Sequence, residues 1–578
     1  MSTRAPASAG GPAGSIQGAV RRLVVFLLLL VLVIVAASGL TGLLGRLLDA
    51  RNTLAGDGAA GLALWMAFTL IGGPLAAILG AAVWRRAADP VERASLGWGL
   101  YLAAVMTLSL AVAASSLLGT AASAVTGSTG GWASGVAAAL VWGGVWWWHL
   151  RMWGHPAKGP LLLATLPMVF GALFGLVVGA VNAARLLEAL FETALRGAGQ
   201  FVLGRPWWST AVEALVWLAG GAVIWWWHWF RRGARSLSGG FADVALVLVG
   251  VLAAVLAALG GAGTILFVLL RLLADRTTTG SVVLAPVPLA AAAALTGGLV
   301  WAYHRPILAL RAAPTRRAGL LVVCGAALAG AATGLGIVVN ALLSTAGAPL
   351  AGPGGSLTLL LAGVSALAVG GPVWWLAWRT VRAEDPDGRR VYLVAVFGLS
   401  AVTALVTLLV VGYRLFEFLL GGVAGTGLVE RVRAPLGLLA ATALVAGYHF
   451  AVWRRDRAVL AARAPLPPEP PGAGPRVGHV LLLAGYDAGP LAEALRAGGE
   501  RKVSLWRAAP DPSPGREDST GDVPGAGAGE PATAAPLSRL HGPGEVLAAL
   551  SGLDAPAALV SLRADGGIGV VPLERDPG

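Results

Sequence analysis

Four of the seven histidines stand at one position of an internal repeat, beside tryptophans and shortly before arginines. They are His149, His228, His304 and His449. Imidazole nitrogens are common metal ligands, so four histidines that converged could hold a metal ion or a haem. However, no Asp, Glu or Cys accompanies them, and two copies of the repeat have Val83 and Ala377 at this position. We therefore favour a belt at the membrane interface over a metal or haem site, and we expect no cofactor.

The belt hypothesis follows from the chemistry of the interface. Tryptophan and histidine combine an apolar ring with a polar edge, and arginine can extend its charge into the headgroup region. These residue types end the second helix of each repeat. The residues that we assign to an aromatic-histidine belt on the cytoplasmic side are Trp148, His149, Trp227, His228, His304, Trp374, Trp378 and His449.

A second group of chemically active residues consists of arginines at the opposite helix ends. These are Arg46, Arg185, Arg271 and Arg414, and each is followed after three or four residues by an acid: Asp49, Glu188, Asp275 and Glu417. This spacing places the two side chains on one helix face. The pattern predicts local ion pairs whose arginines snorkel to the membrane surface. The alternative is that several of these arginines line a vestibule or contact an anionic lipid headgroup.

Long apolar segments carry these residues. The chain has 578 residues, of which 57% are hydrophobic and 12% charged, and runs such as 23–45 contain no charge. Apolar runs beyond about 18 residues predict transmembrane helices. We therefore predict an all-α polytopic membrane protein with about twelve transmembrane helices, arranged as six tandem two-helix repeats and followed by a small cytoplasmic α/β domain.

The repeat has a period of about 70 residues and two marks that keep step with each other. First helices end with Arg-Leu-Leu or a variant of it, and second helices end with aromatic residues and arginine. The predicted boundaries are a disordered tail at 1–20, a transmembrane region at 21–455, and repeats at about 21–93, 94–158, 159–238, 239–317, 318–390 and 391–457.

The charge distribution predicts the orientation. Residues 1–455 contain 31 basic and 14 acidic groups, whereas residues 456–578 contain 11 and 15. Most basic residues of the transmembrane region lie near the N-terminus or after the second helix of a repeat. The positive-inside rule then predicts a protein of the bacterial plasma membrane with both termini in the cytoplasm. This topology explains the net charge of +13, so we expect the lipid bilayer as partner and no nucleic acid.

Two short motifs resemble a known family. The first span of the last repeat ends with YRLFE at 413–417, and the second span of the fifth ends with GPVWWLAWR at 371–379. Two-span repeats with these endings are similar to a bacterial multi-pass membrane family called domain of unknown function 5671, over roughly 21–455 as tandem copies. Pro74 and Pro372 keep the motif's proline, and the other four copies lack it. The resemblance implies an integral membrane protein and supplies neither an activity nor a ligand.

The sequence after the last predicted span indicates a separate folded domain. After a proline-rich linker at 458–475, residues 476–508 have the pattern strand, helix, strand. A polar tract at about 509–536 predicts a disordered insertion, and a helix and two strands with the turn sequence DGG follow. An α/β domain at 476–574 of this size is near the lower limit for independent folding. It is our candidate site for a cytoplasmic protein partner.

The sequence contains no nucleotide-binding loop, metalloprotease motif or nucleophile elbow, and no carboxylate lies in the middle of a predicted span. We therefore expect a non-enzymatic membrane scaffold or sensor with a cytoplasmic regulatory module. Two alternatives stay open: a transporter or channel with a pathway between the repeats, and a membrane enzyme that acts on lipid-linked substrates. A polar cavity that reaches the middle of the membrane would favour transport, and a packed apolar interior would favour a scaffold.

Overall fold

The computed structural model describes residues 12–49, 59–128, 130–196, 206–345, 356–383, 386–421, 427–463, 477–484, 487–497, 502–507, 542–551, 553, 555–562 and 567–574. The chain divides into two units, Met1–Ala462 and Arg463–Gly578, which we call the membrane unit and the tail domain. The first residues of the linker predicted at 458–475 belong to the helix that ends at Arg463, whereas residues 464–475 and the predicted insertion at 509–536 lie outside the described residues.

The described part of the membrane unit is helical. Its helices are α1 (Pro12–Leu48), α2 (Ala59–Ala67), α3 (Gly73–Arg86), α4 (Pro90–Arg93), α5 (Leu96–Val125), α6 (Trp132–Trp153), α7 (Leu166–Arg196), α8 (Trp207–Trp226), α9 (Gly240–Ala245), α10 (Ala254–Ala274), α11 (Gly280–Leu284), α12 (Val287–Ala309), α13 (Ala313–Ser344), α14 (Ser356–Ala383), α15 (Pro386–Leu419) and α16 (Leu428–Arg463). The helix α1 begins at Pro12 and so starts within the segment predicted as a disordered tail.

Eleven helical segments of the described chain are long and apolar enough to cross a membrane, judged by length and composition. The predicted class, an all-α polytopic membrane protein with a small α/β domain, is therefore confirmed. The remaining predicted span corresponds to α6, which has 22 residues. Six tryptophans lower the hydropathy of α6, yet α6 packs along α5 as the other helix pairs pack.

Three π-helical turns interrupt these long helices. They are Phe68–Gly72, Trp227–Arg231 and Leu246–Ala253. Pro74 follows the first of them, and a proline cannot donate the backbone hydrogen bond that an α-helix needs. The first π-helical turn joins α2 to α3, the second extends α8, and the third joins α9 to α10.

Consecutive long helices form hairpins, among them α5 with α6, α7 with α8, α10 with α12 and α13 with α14. Small residues allow close approach where lipid supplies no hydrophobic driving force. A Cβ on Gly297 of α12 would lie 2.6 Å from the carbonyl oxygen of Ala254, whereas a Cβ on Gly298 would meet nothing within 4 Å. One glycine of that pair packs against the neighbouring helix, and the other faces away from it.

We group the spans into three four-helix units: the first is α1–α6, the second α7–α12 and the third α13–α16. The helix ends that carry Trp84, Trp148, Trp227, Trp301, Trp378 and Trp453 form what we call the tryptophan end, and those with Arg46, Arg185, Arg271 and Arg414 form the arginine end. Polar contacts join neighbouring loops at the tryptophan end. Arg93, for example, donates from Nε to the carbonyl oxygen of Gly159 over 3.0 Å.

The tail domain contains a four-stranded sheet with the order β2-β1-β3-β4. Its strands are β1 (His479–Ala484), β2 (Lys502–Arg507), β3 (Ala557–Leu562) and β4 (Ile568–Leu573), and its helices are α17 (Gly489–Ala497) and α18 (Pro543–Leu550). The strand β1 is parallel to β2 and β3, and β4 is antiparallel to β3. These elements match the predicted order, and the turn between β3 and β4 lies partly outside the described residues.

Alternate residues of β1 and β3 form the core of the tail domain. Val480 and Leu482 of β1 pack with Leu495 of α17 and with Val546 and Leu550 of α18. Side chains on the other face of the sheet are only partly buried, and Trp506 at the edge is 63% exposed. Both described helices therefore cover one face of the sheet.

Candidate functional site

A cavity opens at the arginine end of the first four-helix unit. Its volume is about 880 Å³, within the range of small-molecule sites. It lies among the second half of α1, the helix α2, the middle of α5 and the first half of α6. Its lining residues are Ser38, Thr41, Gly42, Gly45, Arg46, Asp49, Trp65, Val112, Gly130, Gly131, Trp132, Ala133, Ser134, Ala138 and Trp142.

Glycines on α1 and α2 allow these two helices to pack closely at the wall of the cavity. A Cβ on Gly42 would overlap the indole of Trp65, so this glycine allows the tryptophan to lie flat against α1. On α2, a Cβ on Gly61 would lie 2.8 Å from Nη2 of Arg46. The guanidinium of Arg46 therefore packs against the backbone of α2 near Gly61, at the mouth of the cavity.

The cavity combines one cation and one carboxylate with polar and aromatic groups. Arg46 and Asp49 each have a partner within the structure. The hydroxyl of Ser134 donates to the carbonyl oxygen of Gly131 over 2.8 Å. Thr41 Oγ1, by contrast, is buried without a hydrogen-bond partner among the described residues. A buried unpaired hydroxyl costs free energy, which a bound polar group could recover.

The cavity extends along α1 from the arginine end of the first unit. Its α1 lining extends from Ser38 to Asp49, a length on the order of 16 Å at the α-helical rise per residue. Beyond this point, Ala37 and Trp142 belong to an apolar cluster, and a larger cluster around Trp98 and Leu102 fills the unit toward the tryptophan end. The cavity therefore has a polar mouth with Arg46 and an apolar inner end.

The other three predicted lipid or anion contacts have different surroundings. Arg271 donates from Nη2 to Asp275 over 2.8 Å and to Thr278 over 3.1 Å, in the loop after α10. Hydrogen bonds from Arg271, and then from Thr277 and Thr278, hold the pKa of Asp275 well below its usual range. This ion pair lies at the end of α10, and the guanidinium of Arg271 is bound to Asp275 and Thr278.

Arg414 and Arg185 lie on the surface. Arg414 pairs with Glu417 at 3.0 Å, and its side chain is 45% exposed. Arg185 is also exposed and forms no ion pair with Glu188 or any other described residue. Of the four arginines, Arg46 alone lines the cavity of the first unit.

Comparison with family models identifies two segments of the chain, residues 22–144 and 318–447, as matches to "Domain of unknown function (DUF5671)". The chain carries two copies of DUF5671. The resemblance predicted from the short motifs is confirmed for these segments, which coincide with the first and third four-helix units. The prediction of tandem copies over 21–455 also included the second unit, which the two matches leave out. No curated protein and no solved structure is significantly similar to the chain.

All the residues that line the cavity fall within the first DUF5671 copy. The sequence identified Arg46 and Asp49 through their spacing. It gave no signal for Trp65, Trp132 or Ser134, because these lie on α2 and α6 and reach the cavity only through helix packing.

The four repeat histidines lie inside the helix packing. His149, His228, His304 and His449 are between 1% and 6% exposed. The ring Nδ1 of each lies 2.8–2.9 Å from the carbonyl oxygen four residues earlier. A carbonyl can only accept, so Nδ1 carries the proton and Nε2 is left as an acceptor. In the first DUF5671 copy, the hydroxyl of Tyr101 lies 2.9 Å from Nε2 of the nearby His149 and donates to it.

The aromatic residues of the predicted belt divide between the surface and the interior. Trp148 is 59% exposed and Trp227 is 37% exposed, so both present their rings outward. Trp374 is partly buried, and Trp378 is fully buried against His449 and Tyr392. The belt stays a prediction for the outward tryptophans, whereas the histidines and Trp378 face neighbouring helices.

One aromatic cluster occurs twice with the same geometry. In the third unit, Nε1 of Trp378 donates to the hydroxyl of Tyr448 over 2.6 Å, and the rings of Trp374 and Trp378 stack. In the second unit, Nε1 of Trp229 donates to the hydroxyl of Tyr303 over 2.8 Å, and Trp225 stacks on Trp229. The second unit thus keeps the packing of the second DUF5671 copy although the family matches do not include it.

His449 is the most completely enclosed of the histidines, with Nε2 buried and without a partner among the described residues. The rings of Trp374, Trp378, Tyr392 and Tyr448 surround it. Within the described ranges, no three His, Cys, Asp or Glu side chains come close enough together to hold a metal ion. The chemistry available at these clusters is therefore hydrogen bonding and aromatic packing.

Proposed function

We propose that this integral membrane protein is a non-enzymatic sensor that binds an amphiphile with an anionic headgroup in the cavity of its first DUF5671 copy. The observation that carries this proposal is the position of Arg46 in the lining of a cavity of about 880 Å³ that also contains tryptophans and hydroxyl groups. The headgroup would bind Arg46 and the hydroxyls nearby. The apolar part would extend along Val112 and Trp142.

The composition of the lining supports an amphiphile over a purely polar ligand. Ligand sites are mostly apolar, with a few polar groups that fix orientation. Here, Arg46 supplies charge for a phosphate or carboxylate, and Trp65, Trp132 and Trp142 supply flat apolar surface. The unpaired hydroxyl of Thr41 adds a donor for the same headgroup.

A transporter is the second candidate, because the cavity lining extends along α1 from Asp49 to Ser38 and so covers part of the way across the membrane unit. The apolar clusters around Trp142 and Trp98 would have to open in order to connect the cavity to the tryptophan end. Flux of an anionic amphiphile across liposomes that contain the purified protein would support transport. Binding without flux would support the sensor.

We further propose a bacterial plasma-membrane location with the tryptophan end and both termini in the cytoplasm. The arginines after the even spans and the positive-inside rule support this orientation. The cavity would then open toward the outer leaflet, and the tail domain would act in the cytoplasm as the regulatory module that contacts a protein partner. Labelling of single cysteines introduced at Ser128 and Arg390 in intact cells tests the orientation.

The binding proposal is tested by photocrosslinking in nanodiscs. The probe is a phosphatidylglycerol with a diazirine in its acyl chain, and the crosslinked peptides are mapped by mass spectrometry. We expect crosslinks on the peptides that contain Trp65 and Trp142 in the wild-type protein, and their loss in R46Q. R414Q is the matched control, since it removes an arginine of the same motif from the surface. Equal crosslinking of these peptides in R46Q and R414Q would contradict the proposal.

A further inference from the structure

Two crevices at the tryptophan end each combine arginines with one carboxylate and a tryptophan, and both lie apart from the cavity of Arg46. The first lies between the beginning of α1 and the end of α3, and Arg21, Arg22, Arg86, Glu92 and Trp98 contribute to its lining. The second lies between α15 and α16 and has a volume of about 190 Å³. Its lining residues are Arg390, Leu393, Trp453, Asp456, Arg457 and Leu460.

Each crevice contains one carboxylate that an arginine already neutralises. Asp456 accepts two hydrogen bonds of 2.7 Å from Arg389, and both side chains are nearly buried. Glu92 accepts a hydrogen bond of 3.0 Å from Nε of Arg22. These carboxylates are therefore occupied and do not balance the remaining arginines.

The remaining arginines leave a surplus of two positive charges at each crevice. Arg390 and Arg457 are exposed at the second crevice, and Arg21 and Arg86 are exposed at the first. Within the described ranges, none of the four forms an ion pair with a carboxylate. Arg457 lies over the ring of Trp453 at 4.9 Å, which fixes its guanidinium at the edge of the crevice.

We infer that each crevice binds one phosphate group of an anionic phospholipid of the adjacent leaflet. Guanidinium groups match the geometry of phosphate oxygens and donate to them in pairs. In the second crevice, Arg390 and Arg457 contact the phosphate, and Leu460 and Trp453 contact the glycerol and the first methylenes. Basic pockets between transmembrane helices recognise headgroups by this combination.

The same chemistry accepts a free phosphate, and the apolar side of the second crevice favours the lipid. Trp453 and Leu460 are partly buried and present the rest of their apolar surface at this crevice. A lipid would cover this apolar surface, whereas inorganic phosphate would leave it in contact with water. Because the four arginines are exposed, binding should weaken as ionic strength rises.

Native mass spectrometry of the full-length protein tests the inference. The protein is exchanged into detergent with dioleoyl-phosphatidylglycerol, and the lipids that stay bound are counted. We expect R390Q/R457Q and R21Q/R86Q each to retain one phosphatidylglycerol fewer than the wild type, and the quadruple variant to retain two fewer. R85Q/R305Q is the matched control, since it removes two exposed arginines of the tryptophan end that line neither crevice.

Two further arms identify the source of the phosphate. Dioleoyl-phosphatidylcholine in place of phosphatidylglycerol should give no loss in either double variant, because its headgroup has no net charge. Inorganic phosphate at 10 mM should not displace the retained phosphatidylglycerol, and displacement would identify free phosphate as the ligand. An equal number of retained phosphatidylglycerol molecules in the wild type, both double variants and the control would overturn the inference.

Discussion

Arg389 and Asp456 form a bidentate ion pair between the beginning of α15 and the end of α16, with both hydrogen bonds at 2.7 Å. Asp243 and Arg311 form the corresponding pair in the second four-helix unit, at 3.7 Å and with the charges exchanged. Arg311 and Asp456 each lie seven residues after the repeat histidine of their helix. The repeat therefore keeps an ion pair at this joint and reverses which helix carries which charge.

Because the second unit holds the same ion pair with its charges exchanged, we expect R389D to destabilise the protein strongly. Addition of D456R to R389D should restore the stability. R389D places two carboxylates together at a nearly buried site, and loss of a buried partner typically costs about 3–5 kcal/mol. The double variant R389D/D456R reproduces the arrangement of Asp243 and Arg311. Thermal unfolding of the purified protein in detergent measures both effects. R379D reverses an exposed arginine of α14 and should change little; an R389D variant as stable as R379D would contradict the role of this pair.

The glycine pair of α12 predicts two different outcomes for the same substitution. G297V would force a side chain into the backbone of α10 near Ala254 and Ala258, and overpacking of this kind costs about 1–3 kcal/mol. G298V projects into open space and should be tolerated. The measurement is the midpoint of thermal unfolding for both variants. Equal midpoints would show that α10 and α12 do not pack as closely as described.

We expect replacement of His149 to lower the stability of the protein more than replacement of His449. H149F leaves the hydroxyl of the buried Tyr101 without its acceptor, which should cost about 1 kcal/mol or more. H449F removes an Nε2 that has no partner among the described residues, so its cost should be smaller. A double-mutant cycle of H149F with Y101F should show positive coupling. Additive effects would mean that this hydrogen bond contributes nothing.

The cavity of the first DUF5671 copy predicts that filling it blocks binding while Arg46 stays in place. Ala138 on α6 lines the cavity, so A138L should abolish photocrosslinking by the phosphatidylglycerol probe. A139L adds the same volume one residue along α6, outside the lining, and serves as the control. Unchanged crosslinking in A138L would place the amphiphile elsewhere.

The sequence predicted the helices and strands well because their signals are local. Apolar length identified the spans, and short apolar runs identified β1 and β3, whose alternate residues are buried. The predicted start of α1 was late, because residues 12–20 are mostly small or polar and give no hydropathy signal even though they continue the helix.

The surroundings of the candidate residues were harder to predict, since they depend on neighbouring helices. Trp148 and His149 are adjacent, yet their exposed fractions are 59% and 5%, because one residue turns an α-helix by about 100°. Arg46 and Arg271 share a motif and a nearby acid. The loop that contains Thr278 binds the guanidinium of Arg271. The packing of α1 on α2 and α6 places Arg46 at the cavity.

The exchange of charge between Asp243–Arg311 and Arg389–Asp456 also distinguishes otherwise similar hairpins during assembly. If the beginning of α15 met the end of α12, Arg389 would face Arg311, and in the opposite mismatch Asp243 would face Asp456. Like charges at these distances repel, and few water molecules would screen them at nearly buried positions. The two ion pairs therefore oppose incorrect pairing of helices between the second and third units.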